Sequence, residues 1–176
     1  MDFASVLESL RAFLEQRGWR YALGGGLAMA AYGLPRTTLD MDLVVDGAGQ
    51  EELIRHLESL GYETLNRSAG YSNHVHREPG MGSVDFVYLA GETAEKVFSA
   101  GREVPGPGGR PVLVPSPEHL AAMKVLAMKN DPARTFQELG DIRHLIAVAG
   151  ADREAVREQF ARHGLEARYR ELERTL

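Results

Sequence analysis

The chain has 176 residues, 44% of them hydrophobic and 26% charged, with a formal net charge of −5, which is the composition of an ordinary folded domain. The absence of cysteine excludes disulfides and thiolate-held metals and fits a reducing, cytoplasmic compartment, and the acidic balance gives no global field for nucleic acid. No apolar run reaches the ~18 residues of a membrane span, and Met1-Asp2-Phe3 opens no basic and apolar leader, so neither a membrane partner nor a signal peptide is expected.

Asp2 can N-cap a first helix with apolar positions Phe3, Val6, Leu7, Leu10, Phe13 and Leu14, which Gly18 ends. Residues 19–23 read as a short strand, followed by the turn Gly24-Gly25-Gly26 and a short helix over 27–32. Gly33 and Pro35 stop that helix, because proline has no N–H and holds Leu34 out of the helical region. A second strand covers 39–45, and a helix covers 51–60 with Leu53, Ile54, Leu57 and Leu60 on one face. Residues 71–77 and 84–89 read as two strands around the turn Glu78-Pro79-Gly80-Met81-Gly82. A short helix over 93–100 and two brief strands around 105–111 complete this part.

From Ser116 the pattern becomes helical. Ser116-Pro117-Glu118 supplies an N-cap, an N1 proline and a first-turn acid. Leu120, Met123, Ala127 and Met128 give that helix its apolar face, a second helix covers 135–149, and Asp152 caps a third. The arginines of this region (Arg143, Arg153, Arg157, Arg162, Arg168, Arg170, Arg174) alternate with glutamates and read as a solvated helical surface. The organisation expected is a mixed α/β core over 1–114 and a helical extension over 115–176 packed on it.

The chemistry concentrates between residues 24 and 42. Asp40 and Asp42 lie two apart on a strand, so their side chains share one face while Leu39, Met41 and Leu43 point to the other. Adjacent carboxylates repel unless a cation lies between them. An all-oxygen pair suits Mg²⁺, with Mn²⁺ as a substitute, and Mg²⁺ keeps positions for substrate phosphates. The glycine turn ahead of a helix can offer those phosphates backbone N–H groups. Asp85 lies in the otherwise apolar run Val84-Asp85-Phe86-Val87, where a carboxylate must find a partner. Three carboxylates converge if its strand neighbours that of Asp40 and Asp42.

The succession Gly25-Gly26-Leu27-Ala28, then Arg36-x-Thr38-x-Asp40-x-Asp42 and aliphatics, resembles the nucleotidyltransferase fold of the DNA polymerase β superfamily, nearest to AbiEii-type and related toxin-like bacterial nucleotidyltransferases. The fold implied is α/β (α+β), a mixed β-sheet flanked by helices with a helical C-terminal part. The activity implied is metal-dependent transfer of a nucleoside monophosphate from an NTP to a hydroxyl, with pyrophosphate release. Two Mg²⁺ about 3.5–4 Å apart would hold the attacking and leaving oxygens. Asp40 and Asp42 would bind them, and Asp85 would complete the second site and help deprotonate the acceptor. Gly25 and Gly26 would hold the triphosphate. The resemblance adds Lys124, after Ser116-Pro117-Glu118, as a phosphate contact, and matches Asp141-Ile142 to the Asp-Ile/Leu that its relatives carry at a later helix turn, where Asp141 could hold Lys124 or a substrate group. Arg36 could pair with Asp40 or meet a phosphate, and Thr38 could order the turn.

A dinucleotide-binding reading fails because the third glycine of its fingerprint falls at Met29, and a P-loop reading fails because no Gly-Lys-Ser/Thr follows. His74 and His76 would face together on a strand, but two histidines do not make a metal site. The acceptor left open is an RNA end such as tRNA, a protein hydroxyl or a small molecule such as an aminoglycoside. A second copy could complete the site as a homodimer. The alternative from another class is an inactive nucleotide-binding or interaction module with an antitoxin-like partner.

Overall fold

The structure, a computed structural model, describes the backbone of residues 1–176 and every side chain except that of Ala48. The Asp2 side chain accepts from the Ser5 N–H at 3.1 Å and starts α1 (Phe3–Gln16). Val6, Leu7, Leu10 and Leu14 on its inner stripe are buried. Gly18, at φ +66°, takes the left-handed turn that ends it. The chain then forms β1 (Tyr21–Leu23), α2 (Gly25–Ala31) and β2 (Asp40–Asp46). After α3 (Gln50–Ser59) come β3 (Tyr62–Ser68), β4 (Tyr71–His76) and β5 (Ser83–Leu89). Next are α4 (Gly91–Ser99) and the hairpin β6 (Arg102–Pro105) and β7 (Pro111–Val114). The last four elements are α5 (Pro117–Asn130), α6 (Thr135–Ala147), α7 (Arg153–Arg162) and α8 (Glu166–Glu173).

Two compact units result, one of residues 1–28 and 35–115, the other of residues 29–34 and 116–176. The first holds a five-stranded mixed sheet in the order β1-β2-β5-β4-β3, with β6 and β7 as a separate pair. Only β2 and β5 run parallel; the other neighbours are antiparallel. Strand alternation gives the sheet two different faces. Met41, Leu43 and Val45 of β2 and Val84, Phe86 and Tyr88 of β5 are buried on one face. Asp40, Asp42, Asp85 and Val87, only half-buried, lie on the other. Each fully buried Leu, Met or Phe of the apolar face contributes about 1.5–3 kcal/mol, so a one-residue slip of β2 against β5 would exchange core and site positions at high cost.

The second unit is helical. Ser116 caps α5 through the His119 N–H, and Asp152 caps α7 through the Ala155 N–H at 2.8 Å. Pro132 ends α5 in a single tight turn, where Asp131 accepts from Ala133 N–H. The segment 29–34 joins this unit through His144, whose Nε2 donates to the Tyr32 carbonyl at 2.8 Å. Arg157 and Arg168 pair on exposed helix surface with Glu154 and Glu171, three residues away on their own helices.

Two elements were not expected. The β3 run Tyr-Glu-Thr-Leu-Asn-Arg-Ser has no apolar alternation, because β3 is an edge strand on which Tyr62 alone is buried. Glu63 and Arg67 give that edge the charge that discourages further pairing. The α8 helix buries only Tyr169 and Leu172, too few for a period to show. The glycine turn also differs from expectation, since α2 begins at Gly25 rather than after Gly26. No helix is long and apolar enough to cross a membrane.

Candidate active site

The register of β2 on β5 decides how the acids meet. Asp42 lies directly opposite Asp85, and Asp40 opposite Ser83. Paired residues on neighbouring strands share a face, and so do residues two apart. Asp40, Asp42 and Asp85 therefore occupy one patch of the same face. A pocket of about 490 Å³ lined by Arg11 of α1, Tyr21 of β1, Val112 of β7 and Arg110 of the turn before β7 belongs to the other side. Tyr21 pairs with Val45, out of phase with Asp42.

The glycines shape this patch from the α2 end. The Gly24 N–H donates to the Asp42 carbonyl at 2.8 Å, extending the β1–β2 ladder by one residue. Gly25 has φ +48°, and a Cβ added there would lie 1.7 Å from Asp42 Oδ2 and 2.4 Å from its Cγ. The Asp42 carboxylate thus fills the volume that any other residue at position 25 would occupy. A Cβ on Gly26 would meet the Thr38 Cβ at 3.0 Å. Thr38 in turn donates its hydroxyl to Asp40 Oδ1 at 2.5 Å. Arg36 is half-buried in the loop that leads to Thr38.

Asp85 is held from β4. Tyr71 donates its hydroxyl to Asp85 Oδ2 at 2.7 Å, and the Asn73 side-chain amide donates to Oδ1. These are the partners that a carboxylate in an apolar run requires. Sequence reasoning passed over Tyr71 and Asn73. Their signal is positional: pairing the two strands around the 78–82 turn sets Asn73 opposite Asp85 and Tyr71 opposite Val87. Among the described residues, no three acid or imidazole side chains already converge on a metal-sized point. Asp40 is turned to Thr38 and Asp85 to its two donors, yet each carboxylate has about four lone-pair directions and keeps acceptor capacity. The donor set fits Mg²⁺: oxygen ligands only, with Gly25 leaving room beside one of them.

His74 and His76 lie on the opposite face of β4 from Asn73. His74 is fully buried in a polar chain, Nδ1 to the Thr64 hydroxyl at 3.1 Å and Nε2 to Ser72 Oγ at 2.7 Å, with Ser72 Oγ 2.6 Å from the Tyr88 hydroxyl. Burial pushes the His74 pKa down to about 4, so it is neutral. His76 Nε2 donates to the Leu60 carbonyl and its Nδ1 accepts from the Glu78 N–H. Both rings are structural.

Lys124 and Asp141 belong to the helical unit. Lys124 is buried, its Nζ 2.9 Å from Glu138 Oε2 and 2.5 Å from Asp141 Oδ2. Arg134 reaches the other Glu138 oxygen at 2.7 Å. This cluster joins α5 to α6.

The model of a family described as aminoglycoside-2''-adenylyltransferase matches residues 6–112, more than half of the chain. The chain belongs to the aminoglycoside-2''-adenylyltransferase family. It is a nucleotidyltransferase of mixed α/β fold. No curated protein matches its sequence. Among solved structures, the antibiotic-resistance factor ANT(2'')-Ia is similar at TM-score 0.67 and 22% identity over 98% of this chain and 95% of that one. Its complex with adenylyl-2''-tobramycin is similar at TM-score 0.65 and 22% identity over 94% of this chain and 98% of that one. The lincosamide antibiotic adenylyltransferase LnuA, with lincomycin bound, is similar at TM-score 0.57 and 16% identity over 82% and 96%. At these identities the structures speak for the fold. The polymerase-β-like superfamily expected from Asp40-x-Asp42 fits these matches; AbiEii-type kinship is not among them.

Proposed function

We propose that this member of the aminoglycoside-2''-adenylyltransferase family moves the AMP unit of ATP onto a hydroxyl of an aminoglycoside, a small polycationic acceptor. The observation that carries the reading is the placement of Asp40, Asp42 and Asp85 on one sheet face, with Asp42 and Asp85 in register and Gly25 giving space to the Asp42 carboxylate. The acceptor oxygen forms a bond to the α-phosphorus, the bond from that phosphorus to the bridging oxygen breaks, and pyrophosphate carries away the electron pair. Asp85, the acid fixed by two donors, takes the acceptor proton. Asp40, Asp42 and Asp85 would hold Mg²⁺, which when bound offsets the charge of the triphosphate and of the developing transition state. The backbone N–H groups of Gly25 and Gly26 open α2 toward the phosphates. Arg36 lies in the loop before Thr38 and would add a cation there, while Thr38 orients Asp40. Lys124 and Asp141 pair with each other inside the helical unit.

A polycationic acceptor suits this chain better than a polyanion. A net charge of −5 disfavours RNA and favours amines. The deciding experiment is calorimetric titration of ATP, CTP, GTP and UTP with and without Mg²⁺, on wild type and on Asp40→Asn/Asp42→Asn. Pyrophosphate release with tobramycin or lincomycin as acceptor follows. Mg²⁺-dependent ATP binding by wild type alone, with release on adding tobramycin, is expected. Absence of binding and release with every nucleotide would turn the assignment to an interaction module with a protein partner.

A further inference from the structure

We infer that Tyr71 and Asn73 are positioning residues for the third carboxylate, a role that rests on the metal-dependent reading above. The two side chains lie two residues apart on β4, so both point to the acid face. Each takes a different oxygen of Asp85, Tyr71 at Oδ2 and Asn73 at Oδ1. A carboxylate tethered at one oxygen still swings about χ2. One tethered at both oxygens by groups on a rigid neighbouring strand has its plane fixed. The tether comes from the β4 side, while Asp42 faces Asp85 from the β2 side. The remaining lone pairs of Asp85 are thereby aimed toward Asp42 and the outer surface, where a divalent cation and a hydroxyl would have to approach.

The chemistry of the two donors suits this part. A phenol and a primary amide are neutral, so they orient Asp85 without adding a positive charge that would compete with a metal ion. Other acids of the same unit are tethered by guanidinium groups, as in Arg17 with Glu52 and Arg20 with Asp46. Those pairs cancel charge at the surface. Outer donors that hold a metal-ligating carboxylate commonly govern affinity by ten- to a hundredfold. Tyr71 is also 37% exposed, so its hydroxyl is not there to fill a core.

The test is Mn²⁺ binding to the full chain, read by EPR as loss of the free-ion signal, on wild type, Tyr71→Phe, Asn73→Ala and Asp85→Asn. Tyr71→Phe removes one oxygen from a partly exposed ring, and its melting temperature serves as the check that the fold is kept. The expected result is a Kd for Mn²⁺ raised about ten- to a hundredfold in Tyr71→Phe and in Asn73→Ala, approaching that of Asp85→Asn. Wild-type Kd in both donor variants, with binding lost in Asp85→Asn, would overturn the positioning role and leave the metal reading standing. Wild-type Kd in Asp85→Asn as well would remove Asp85 from the site and overturn both.

Discussion

Gly25→Ala separates stability from function at the point where the glycine turn meets the acids. The new methyl carbon would lie 1.7 Å from Asp42 Oδ2, 2.4 Å from Cγ and 3.0 Å from Cβ. An oxygen alone could swing aside, but displacement of Cγ requires rotation about χ1, which carries the carboxylate off the patch shared with Asp40 and Asp85. The backbone strain is separate: an L-residue at the φ of +48° found here costs roughly 1–2 kcal/mol. For a chain of this length that corresponds to a melting temperature lower by roughly 2–8 °C. The expected outcome is a folded protein, slightly less stable, that has lost Mg²⁺-dependent ATP binding by calorimetry. Gly70→Ala is the control, since a Cβ there meets nothing within 4 Å. It should keep both stability and binding. If Gly25→Ala melts lower but binds Mg²⁺·ATP with wild-type affinity, the Asp42 carboxylate has no part in the site.

Two further predictions concern buried groups. His74 is held at a pKa of about 4 against an ordinary 6.5, so the unfolded chain takes up its proton first. The stability from the neutral ring is complete above pH 6.5 and is lost as pH falls toward 4, about 2 kcal/mol between pH 7 and 5. Urea unfolding at those two pH values should show this loss in wild type and a loss smaller by that amount in His74→Asn; equal losses would refute the assignment. Lys124→Met takes the ammonium from buried Asp141 while Glu138 keeps Arg134, and should cost about 3–5 kcal/mol, with partial recovery in Lys124→Met/Asp141→Asn. A loss under ~1 kcal/mol in the single variant would show that water reaches the cluster.

The parts of this molecule legible in the sequence are those where one local rule decides. Asp2, Ser116 and Asp152 cap helices because short polar side chains accept from free N–H groups of the first turn. The alternation Asp40-Met41-Asp42-Leu43 announces a strand with one wet face. β3 escaped because an edge strand needs no apolar face, and its pairing partner, not its own sequence, makes it a strand. Lys124 shows what a local reading leaves out. An isolated lysine on an apolar helix suggests a ligand, whereas Glu138 and Asp141, which neutralise it, come from α6, 14 and 17 residues further on.

Asp85 is the residue on which local and long-range information join. Its run of apolar neighbours states that it needs partners, but not which ones. The hairpin around residues 78–82 supplies Asn73 and Tyr71, since an antiparallel turn fixes which residues face each other. The parallel pairing with β2 supplies Asp42, and no local rule specifies it, because the crossover runs through α3, β3 and β4. That crossover is held by burial of Met41, Leu43, Val84 and Phe86 on the opposite face. The register that brings two carboxylates side by side is thus set by the apolar face of the same strands. Charge repulsion between Asp42 and Asp85 opposes that register, and the buried face offsets it; a cation between them would convert the opposition into binding energy.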